Sequence, residues 1–108
     1  MANNDKVTEL SGKHFDDFTS KGLVLIDFFA DWCMPCLMMA PIMDELSEKF
    51  KGKIKFGKIN VDDNQDIARK FRVLSIPNFV LFKDGQPVDH FIGAMPEEDF
   101  EERLQKHL

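Results

Sequence analysis

The chain has 108 residues, of which 44% are hydrophobic and 31% are charged, and its formal net charge is −5. This length and balance predict one globular domain over residues 1–108, which we expect to be a monomer. The negative charge argues against a nucleic-acid partner, because no basic patch stands out that would neutralise phosphates.

The amino-terminal segment, residues 1–6, has no apolar signal region, and no stretch of the sequence reaches the roughly 18 apolar residues of a membrane span. We therefore expect a soluble, cytoplasmic protein with no membrane partner. In that compartment a pair of cysteines is typical of catalysis or metal binding rather than of a structural disulfide.

The chain begins with a predicted strand and helix. Residues 7–10 are a short strand candidate. Ser11 can cap a helix over residues 12–20, with Phe15 and Phe18 on its inner face.

Residues 23–29 are apolar on both faces, which indicates a central strand. Asp27 interrupts this strand. Burying an unpaired carboxylate is costly, so the pKa of Asp27 should rise toward neutrality. Lys58, on a later predicted strand, is the expected partner that tunes Asp27. The alternative is that both side chains point to solvent at a sheet face.

The segment after this strand, Trp32-Cys33-Met34-Pro35-Cys36, holds the only two cysteines and the only tryptophan. Two cysteines at this spacing, at a strand-to-helix junction, are typical of a dithiol/disulfide redox centre. The thiolate is the reactive species, and the start of a helix favours an anion through unpaired N–H groups and its dipole. Cys33 is the predicted nucleophile. Cys36, about one turn later, is the predicted resolving thiol. The alternative is a pair of buried, inert thiols.

The helix after the cysteines is predicted over residues 34–50, with a kink at Pro41. Apolar positions spaced by four predict its inner face at Ile42, Leu46 and Phe50, with Leu37, Met39 and Met43 nearby.

The next segments predict a strand over residues 54–61 and a short helix over residues 65–71, capped by residues 62–64. A turn at residues 75–77 then leads into an apolar strand over residues 78–83.

Asp84-Gly85 is a tight-turn signal, so the strand over residues 87–92 should pair antiparallel with its predecessor as a hairpin. Pro96 is expected to open the last helix at its first position, with Phe100, Leu104 and Leu108 facing inward. The element order predicts an α/β protein with parallel crossovers and an antiparallel hairpin at the end.

With these residues in place, the chain resembles the thioredoxin family over nearly its whole length. The shared signature is Asp27-Phe28-Phe29-Ala30-Asp31-Trp32-Cys33-Met34-Pro35-Cys36, Pro41, Lys58-Ile59-Asn60-Val61-Asp62, Ile76-Pro77, Phe82-Lys83-Asp84-Gly85 and Gly93. The resemblance implies a thioredoxin fold: a central mixed sheet, ordered β-α-β-α-β-α-β-β-α, with helices on both faces and a cis peptide before Pro77. The departures from the family pattern are Met34 for glycine, Phe29 for tryptophan, Ser75 for glycine and Asn78 for threonine.

The resemblance also implies roles for individual residues. Asp27 would accept the proton of Cys36, and the cis proline would present the Ile76 backbone to an extended substrate segment. An apolar docking rim for disulfide-containing target proteins would consist of Trp32, Met34, Pro35, Ile76, Pro77, Gly93 and Ala94.

Partners and redox direction follow from the same resemblance. Electrons would come from NADPH through a separate flavin enzyme, a thioredoxin reductase. The chain has no nucleotide-binding glycine motif, so we expect no bound cofactor. Since Met34-Pro35 offers no cation to stabilise the thiolate, we predict a reducing centre near about −270 mV rather than about −120 mV.

Two other functions compete with this prediction. Cys33 and Cys36 with Met34, Met38 and Met39 could bind Cu(I), although Met38 and Met39 are more simply expected in the helix core. A second possibility is a non-catalytic domain that serves one partner protein.

Haem attachment is excluded because Leu37 follows Cys36 where the motif requires histidine. We expect no other metal site, and we expect all three histidines on the surface: His14, His90 and His107.

Overall fold

The computed structural model describes residues 7–108, so the expectation for residues 1–6 lies outside the described part. The elements alternate as the sequence predicts. In chain order they are β1 (Thr8–Glu9), α1 (Gly12–Thr19), β2 (Leu23–Phe29), α2 (Met34–Lys49), β3 (Ile54–Asn60), α3 (Gln65–Lys70), β4 (Asn78–Lys83), β5 (Gln86–Ile92) and α4 (Glu97–Gln105).

The strands form one five-stranded sheet in the order β1-β3-β2-β4-β5. Strands β1, β3 and β2 run parallel, whereas β4 is antiparallel to both β2 and β5. The mixed sheet and the terminal hairpin are therefore confirmed. In the hairpin turn both Asp84 (φ 50°) and Gly85 (φ 87°) have positive φ, the conformation that matches the twist of the paired strands.

The connection from β3 to β4 is not a parallel crossover, unlike the connections through α1 and α2. Helix α3 has six residues and rises only about 9 Å. Strand β3 has seven residues and spans about 23 Å. Because α3 is too short to return the chain along the sheet, β4 starts near the end where β3 stops and runs the opposite way.

Helices cover both faces of the sheet. On one face, α2 and α4 pack on the sheet around Leu25, Met39, Met43, Leu46, Phe56, Phe79, Phe91 and Phe100. On the other face, α1 and α3 pack around Phe15, Val24, Ile26, Phe28, Ile59, Val80 and Phe82. Strand β2 lies between both layers, which explains its apolar character on both sides.

Phe100 shows how α4 is held. Its ring is fully buried, with its centroid 4.9 Å from that of Phe79 and 4.8 Å from that of Phe91. Burial of a side chain of this size contributes about 2 kcal/mol. Leu104 is also buried, but Leu108 is 53% exposed, so its expected inward orientation is wrong. The helix ends at Gln105, and Leu108 follows it in the terminal turn.

The inner face of α2 differs from the prediction at three positions. Ile42 is only partly buried, Leu37 is exposed, and Met38 is 68% exposed rather than in the core. The buried positions are Met39 and Met43, which continue with Leu46 at the spacing that faces the sheet. Pro41 lies inside the helix, and the kink expected there stays a prediction.

Three expected helix starts also differ. Ser11 is at the N-cap of α1 without a capping bond, because its hydroxyl pairs with His14 Nδ1 at 2.8 Å. Asn64 precedes α3, but its side chain donates to the Asn60 carbonyl instead. Pro96 is the N-cap of α4 rather than its first residue, with extended φ −60° and ψ 150°.

Candidate active site

Cys33 and Cys36 form a disulfide at the start of α2, with their Cα atoms 5.2 Å apart. Cys33 is the N-cap and has extended backbone angles, which turns its side chain toward the free N–H groups of the first turn. The backbone N–H of Cys36 donates to Cys33 Sγ at 3.2 Å. Pro35 in that first turn loses no helical hydrogen bond. A thiolate on Cys33 would be stabilised by this donor and by the helix dipole.

Both cysteines are nearly covered, with exposures of 4% for Cys33 and 5% for Cys36. They pack with Ala30, and the partly buried Phe29 and Ile76 lie against them. The structure thus brings Ile76 to the cysteines although it lies 40 positions after Cys36 in the chain. A partner disulfide can reach the sulfur atoms only by contacting the surrounding surface.

Asp27 is 5% exposed, and its Oδ1 atom has no hydrogen-bond partner in the described residues. Burial raises the pKa of Asp27 to about 7, while the charge of Lys58 acts in the opposite direction. The predicted rise therefore holds, with desolvation as its main cause. The alternative in which Asp27 points to solvent is wrong.

Strand alternation places Asp27 on the face that α2 covers. Leu25, two residues earlier, packs with the α2 methionines, and Phe29, two residues later, packs against the cysteines. Asp27 therefore lies between the core under α2 and the disulfide.

Lys58 is the direct neighbour of Asp27 in the parallel β2–β3 register. Its side chain is partly buried, and its Nζ atom lies 5.4 Å from the centroid of the Phe29 ring. Lys58 and Asp27 therefore pair as directly adjacent residues on neighbouring strands.

The loop before β4 contains the predicted cis peptide, between Ile76 and Pro77. Pro77 is buried, and its carbonyl accepts a hydrogen bond of 2.9 Å from the backbone N–H of Gly93. Gly93 has a φ of 88°, a conformation that favours glycine. Two predicted rim residues, one just before β4 and one just after β5, are thus joined directly, and the exposed Ala94 follows Gly93.

Asn78 is a second anchor of this loop that sequence reasoning missed. The side chain is 1% exposed, and its Nδ2 atom donates to the Ser75 carbonyl at 3.3 Å. Its Oδ1 atom is hydrogen-bonded to Nε2 of His90. His90 is exposed, as expected, but it is engaged with the loop. The only sequence signal was the departure from threonine at Asn78.

Asp62 was expected to cap a helix, yet it holds Trp32. The indole Nε1 of Trp32 donates to Asp62 Oδ2 at 2.9 Å, and the ring remains 69% exposed. Asn60, which is 7% exposed, supports this contact by accepting from the Asp62 backbone N–H at 2.9 Å. Residues 60–62 belong to the signature quoted above, which was the only sequence signal for them.

The surface around the disulfide is apolar and open. Trp32, Met34 and Pro35 are all exposed beside Cys33, and their role in a docking rim stays a prediction. Leu74, which sequence reasoning missed, is 94% exposed just before the cis-proline loop.

No group of three or more His, Cys, Asp or Glu side chains that could hold a metal ion occurs within residues 7–108. Over the same residues, no helix is long and apolar enough to cross a membrane.

Comparison with known proteins adds independent evidence. A family model described as Thioredoxin matches residues 6–106. The thioredoxin of Staphylococcus saprophyticus is 43% identical over 102 residues, covering 94% of this chain and 98% of that protein. The thioredoxin of Staphylococcus haemolyticus gives the same figures of 43% identity, 94% and 98%. A chain from a solved structure reported as "Structural basis of the thiol resolving mechanism in yeast mitochondrial 1-Cys peroxiredoxin via glutathione/thioredoxin systems" is 32% identical. It has a TM-score of 0.85 and covers 95% of this chain and 97% of its own length.

Proposed function

The chain belongs to the thioredoxin family and is a disulfide oxidoreductase that works by dithiol–disulfide exchange, and from this premise we propose which residue performs each step. Cys33 is the attacking thiol and Cys36 the resolving thiol. One observation carries this assignment: Cys33 Sγ caps α2 and accepts the Cys36 N–H, whereas Cys36 lies inside the helix.

In the first step the Cys33 thiolate attacks one sulfur of a target disulfide. A bond forms between Cys33 Sγ and that sulfur, and the second target sulfur leaves as a thiolate that takes up a proton. In the second step Cys36 attacks Cys33 Sγ, the mixed disulfide breaks, and the remaining target sulfur leaves. The target has then gained two electrons, and Cys33 and Cys36 have lost two.

Asp27 is the group that we assign to the proton of Cys36. A thiol inside the helix needs a base before it can attack, and an exposed carboxylate with an ordinary pKa would be a weak one. A pKa of about 7, caused by burial and moderated by Lys58, lets Asp27 accept this proton near neutral pH.

The rim residues would bind the target protein. Ile76 lies against the cysteines, and the Pro77–Gly93 hydrogen bond joins the two loops beside it. The exposed ring of Trp32 offers an aromatic face, and its hydrogen bond to Asp62 fixes the orientation of that ring. An extended segment bearing a disulfide could add to this edge through the Ile76 backbone, with apolar side chains against Trp32 and Met34.

The remaining assignments are also proposals. The partners are disulfide-containing proteins and a thioredoxin reductase that passes electrons from NADPH. The protein acts as a cytoplasmic monomer with no bound cofactor, and its net direction is reductive because Met34-Pro35 provides no cation to stabilise the reduced form.

The test is the reduction of insulin disulfides with dithiothreitol as the electron donor, comparing wild type, Cys33→Ser and Cys36→Ser. Cys33→Ser should lose turnover completely. Cys36→Ser, reduced beforehand and freed of dithiothreitol, should attack once and accumulate a mixed disulfide visible by mass spectrometry. Both serine variants lack the disulfide, so each controls for the folding of the other. Equal turnover by wild type and Cys33→Ser would overturn the assignment.

A further inference from the structure

We propose that Met34 is an oxidative modification site, at which hydrogen peroxide converts the thioether to a sulfoxide and thereby weakens the docking of protein substrates. The inference rests on the proposed function, because it acts on the rim that would bind those substrates. It adds a chemical sensitivity that neither the exchange reaction nor the fold requires.

The methionines of the described chain divide sharply by exposure. Met34 is 66% exposed and Met38 is 68% exposed, whereas Met39 is 1% exposed and Met43 is fully buried. Met95 is partly buried against the core. Oxidation of a thioether requires contact with the oxidant, so peroxide should distinguish the first two methionines from the other three.

Met34 differs from Met38 in its place. It is the first residue of α2, directly between Cys33 and Pro35 and two positions after the exposed Trp32. Met38 lies one turn further along the same side of the helix, outside the segment from Trp32 to Cys36. The two side chains are equally open to peroxide, yet only Met34 lies inside the reacting segment.

When Cys33 and Cys36 form a disulfide, peroxide can react with the sulfur of an exposed methionine but finds no cysteine thiolate. Peroxide oxidation of cysteine starts from the thiolate, and in the disulfide form neither Cys33 nor Cys36 has one. Met34 stays exposed in that form. At Met34 the peroxide O–O bond breaks and one oxygen binds the sulfur, which loses two electrons. The other oxygen leaves as water.

The product changes the rim in a defined way. A flexible apolar side chain becomes a polar, chiral one at the point where a target segment must lie against Trp32 and Met34. Covering the sulfoxide oxygen without a hydrogen-bond donor opposes binding. Small disulfides, which bury little of the rim, should not be affected in the same way.

The experiment treats the disulfide form of the full chain with hydrogen peroxide, removes the peroxide, and locates added oxygen by peptide mass spectrometry. Oxygen is expected on Met34 and Met38 but not on Met39 or Met43. The insulin KM of the treated protein should rise roughly fivefold relative to untreated protein, while its rate with a small aromatic disulfide changes by less than about twofold.

Two matched variants separate the sites, each compared with its own untreated sample. Met34→Leu keeps an apolar side chain that peroxide cannot oxidise, and its insulin KM should not respond to peroxide. Met38→Leu should respond as the wild type does. A Met34 without added oxygen, an unchanged insulin KM with Met34 oxidised, or an undiminished response in Met34→Leu would each overturn the proposal. Untreated wild type that fails to reduce insulin would instead contradict the proposed function.

Discussion

Two aspartates of the same sheet, Asp27 and Asp89, have opposite surroundings. Asp27 is buried, and its Oδ1 atom lacks a hydrogen-bond partner in the described residues. Asp89 lies at the β5 edge and accepts from Arg103 at 2.9 Å, from His107 at 2.9 Å and from the His90 backbone N–H at 2.8 Å. One carboxyl group is left without a hydrogen-bond partner at Oδ1 on the sheet face that α2 covers, and the other is fully engaged between β5 and the carboxyl-terminal residues.

Their pKa values move in opposite directions for this reason. Burial raises the pKa of Asp27 to about 7. Burial would also raise the pKa of Asp89, but the hydrogen bonds from Arg103, His107 and the His90 backbone outweigh it, so the pKa lies below its usual value. Asp89 therefore stabilises the fold at neutral pH, whereas ionised Asp27 destabilises it. The comparison indicates that the fold gives up stability at Asp27, as expected if this residue serves as the proposed proton acceptor.

The largest expected effect is on Asp27→Asn. The folded state of the wild type holds a proton between about pH 4 and pH 7 that the unfolded state has released, so its free energy of unfolding falls as pH rises through that window. A shift of about three pKa units corresponds to roughly 4 kcal/mol. Asp27→Asn should be more stable than wild type by up to this amount at pH 8 and by little at pH 4.

Urea unfolding of the disulfide form at a series of pH values measures this difference, because the cysteines do not titrate in that form. The same variant should reduce insulin more slowly, since Cys36 loses its proton acceptor. Parallel pH curves for the stability of wild type and Asp27→Asn would show that Asp27 does not carry the proton.

Asp89→Asn should lower the free energy of unfolding, which is opposite to the effect of Asp27→Asn and smaller. It removes charge-assisted hydrogen bonds, but Arg103 is 44% exposed, so we expect a loss of about 1 kcal/mol at pH 7. Wild type should be more stable than Asp89→Asn at pH values above the pKa that the carboxyl group has in the unfolded chain. This difference disappears as pH falls through the lower pKa that Asp89 has in the folded protein.

The matched control is Lys49→Gln, which removes the contacts of Lys49 with Glu97 at 3.2 Å and Glu101 at 2.9 Å. These groups are more exposed, so the free energy of unfolding should not change measurably in the same urea titration. If Lys49→Gln lowered the free energy of unfolding as much as Asp89→Asn, the two sets of contacts would stabilise the fold equally, contrary to this prediction.

The smallest expected effect is on Lys58→Gln. The charge of Lys58 lowers the pKa of Asp27, so its removal should raise that pKa further, by less than burial does. NMR titration of the Asp27 carboxyl carbon measures the change. Lys55→Gln is the control, because Lys55 lies on the same strand but over Phe18, at 4.2 Å from the ring centroid, on the opposite face. Equal responses in the two variants would exclude a direct effect of Lys58.

Sequence reasoning placed the candidate site residues on the correct elements but missed the contacts that hold them. The predicted strand around Asp27, the cysteine pair at a helix start and the cis peptide before Pro77 are confirmed. The contacts of Asp62 with Trp32 and of Asn78 with His90 were not predicted. These bonds join residues from different elements, and a polar side chain next to a turn has no pattern that names its partner.

Some local predictions failed for a related reason. Met38 is on the outer side of α2 and Ser11 pairs with His14 instead of capping, although both satisfied the usual local preferences. Propensity describes what a residue can do, and the neighbours decide which option it takes.

The amino-acid sequence by itself determined the order and type of the elements, the position of the dithiol and the anomaly of a carboxylate in an apolar strand. Hydrophobic periodicity and short spacings are local properties of the chain, so the sequence alone is enough to interpret them. Only the tertiary structure decided that Lys58 is the strand neighbour of Asp27, that Asp89 is compensated and Asp27 is not, and that Met34 is open while Met39 is covered. Those properties depend on desolvation and on register between distant segments, which arise only when the chain is packed.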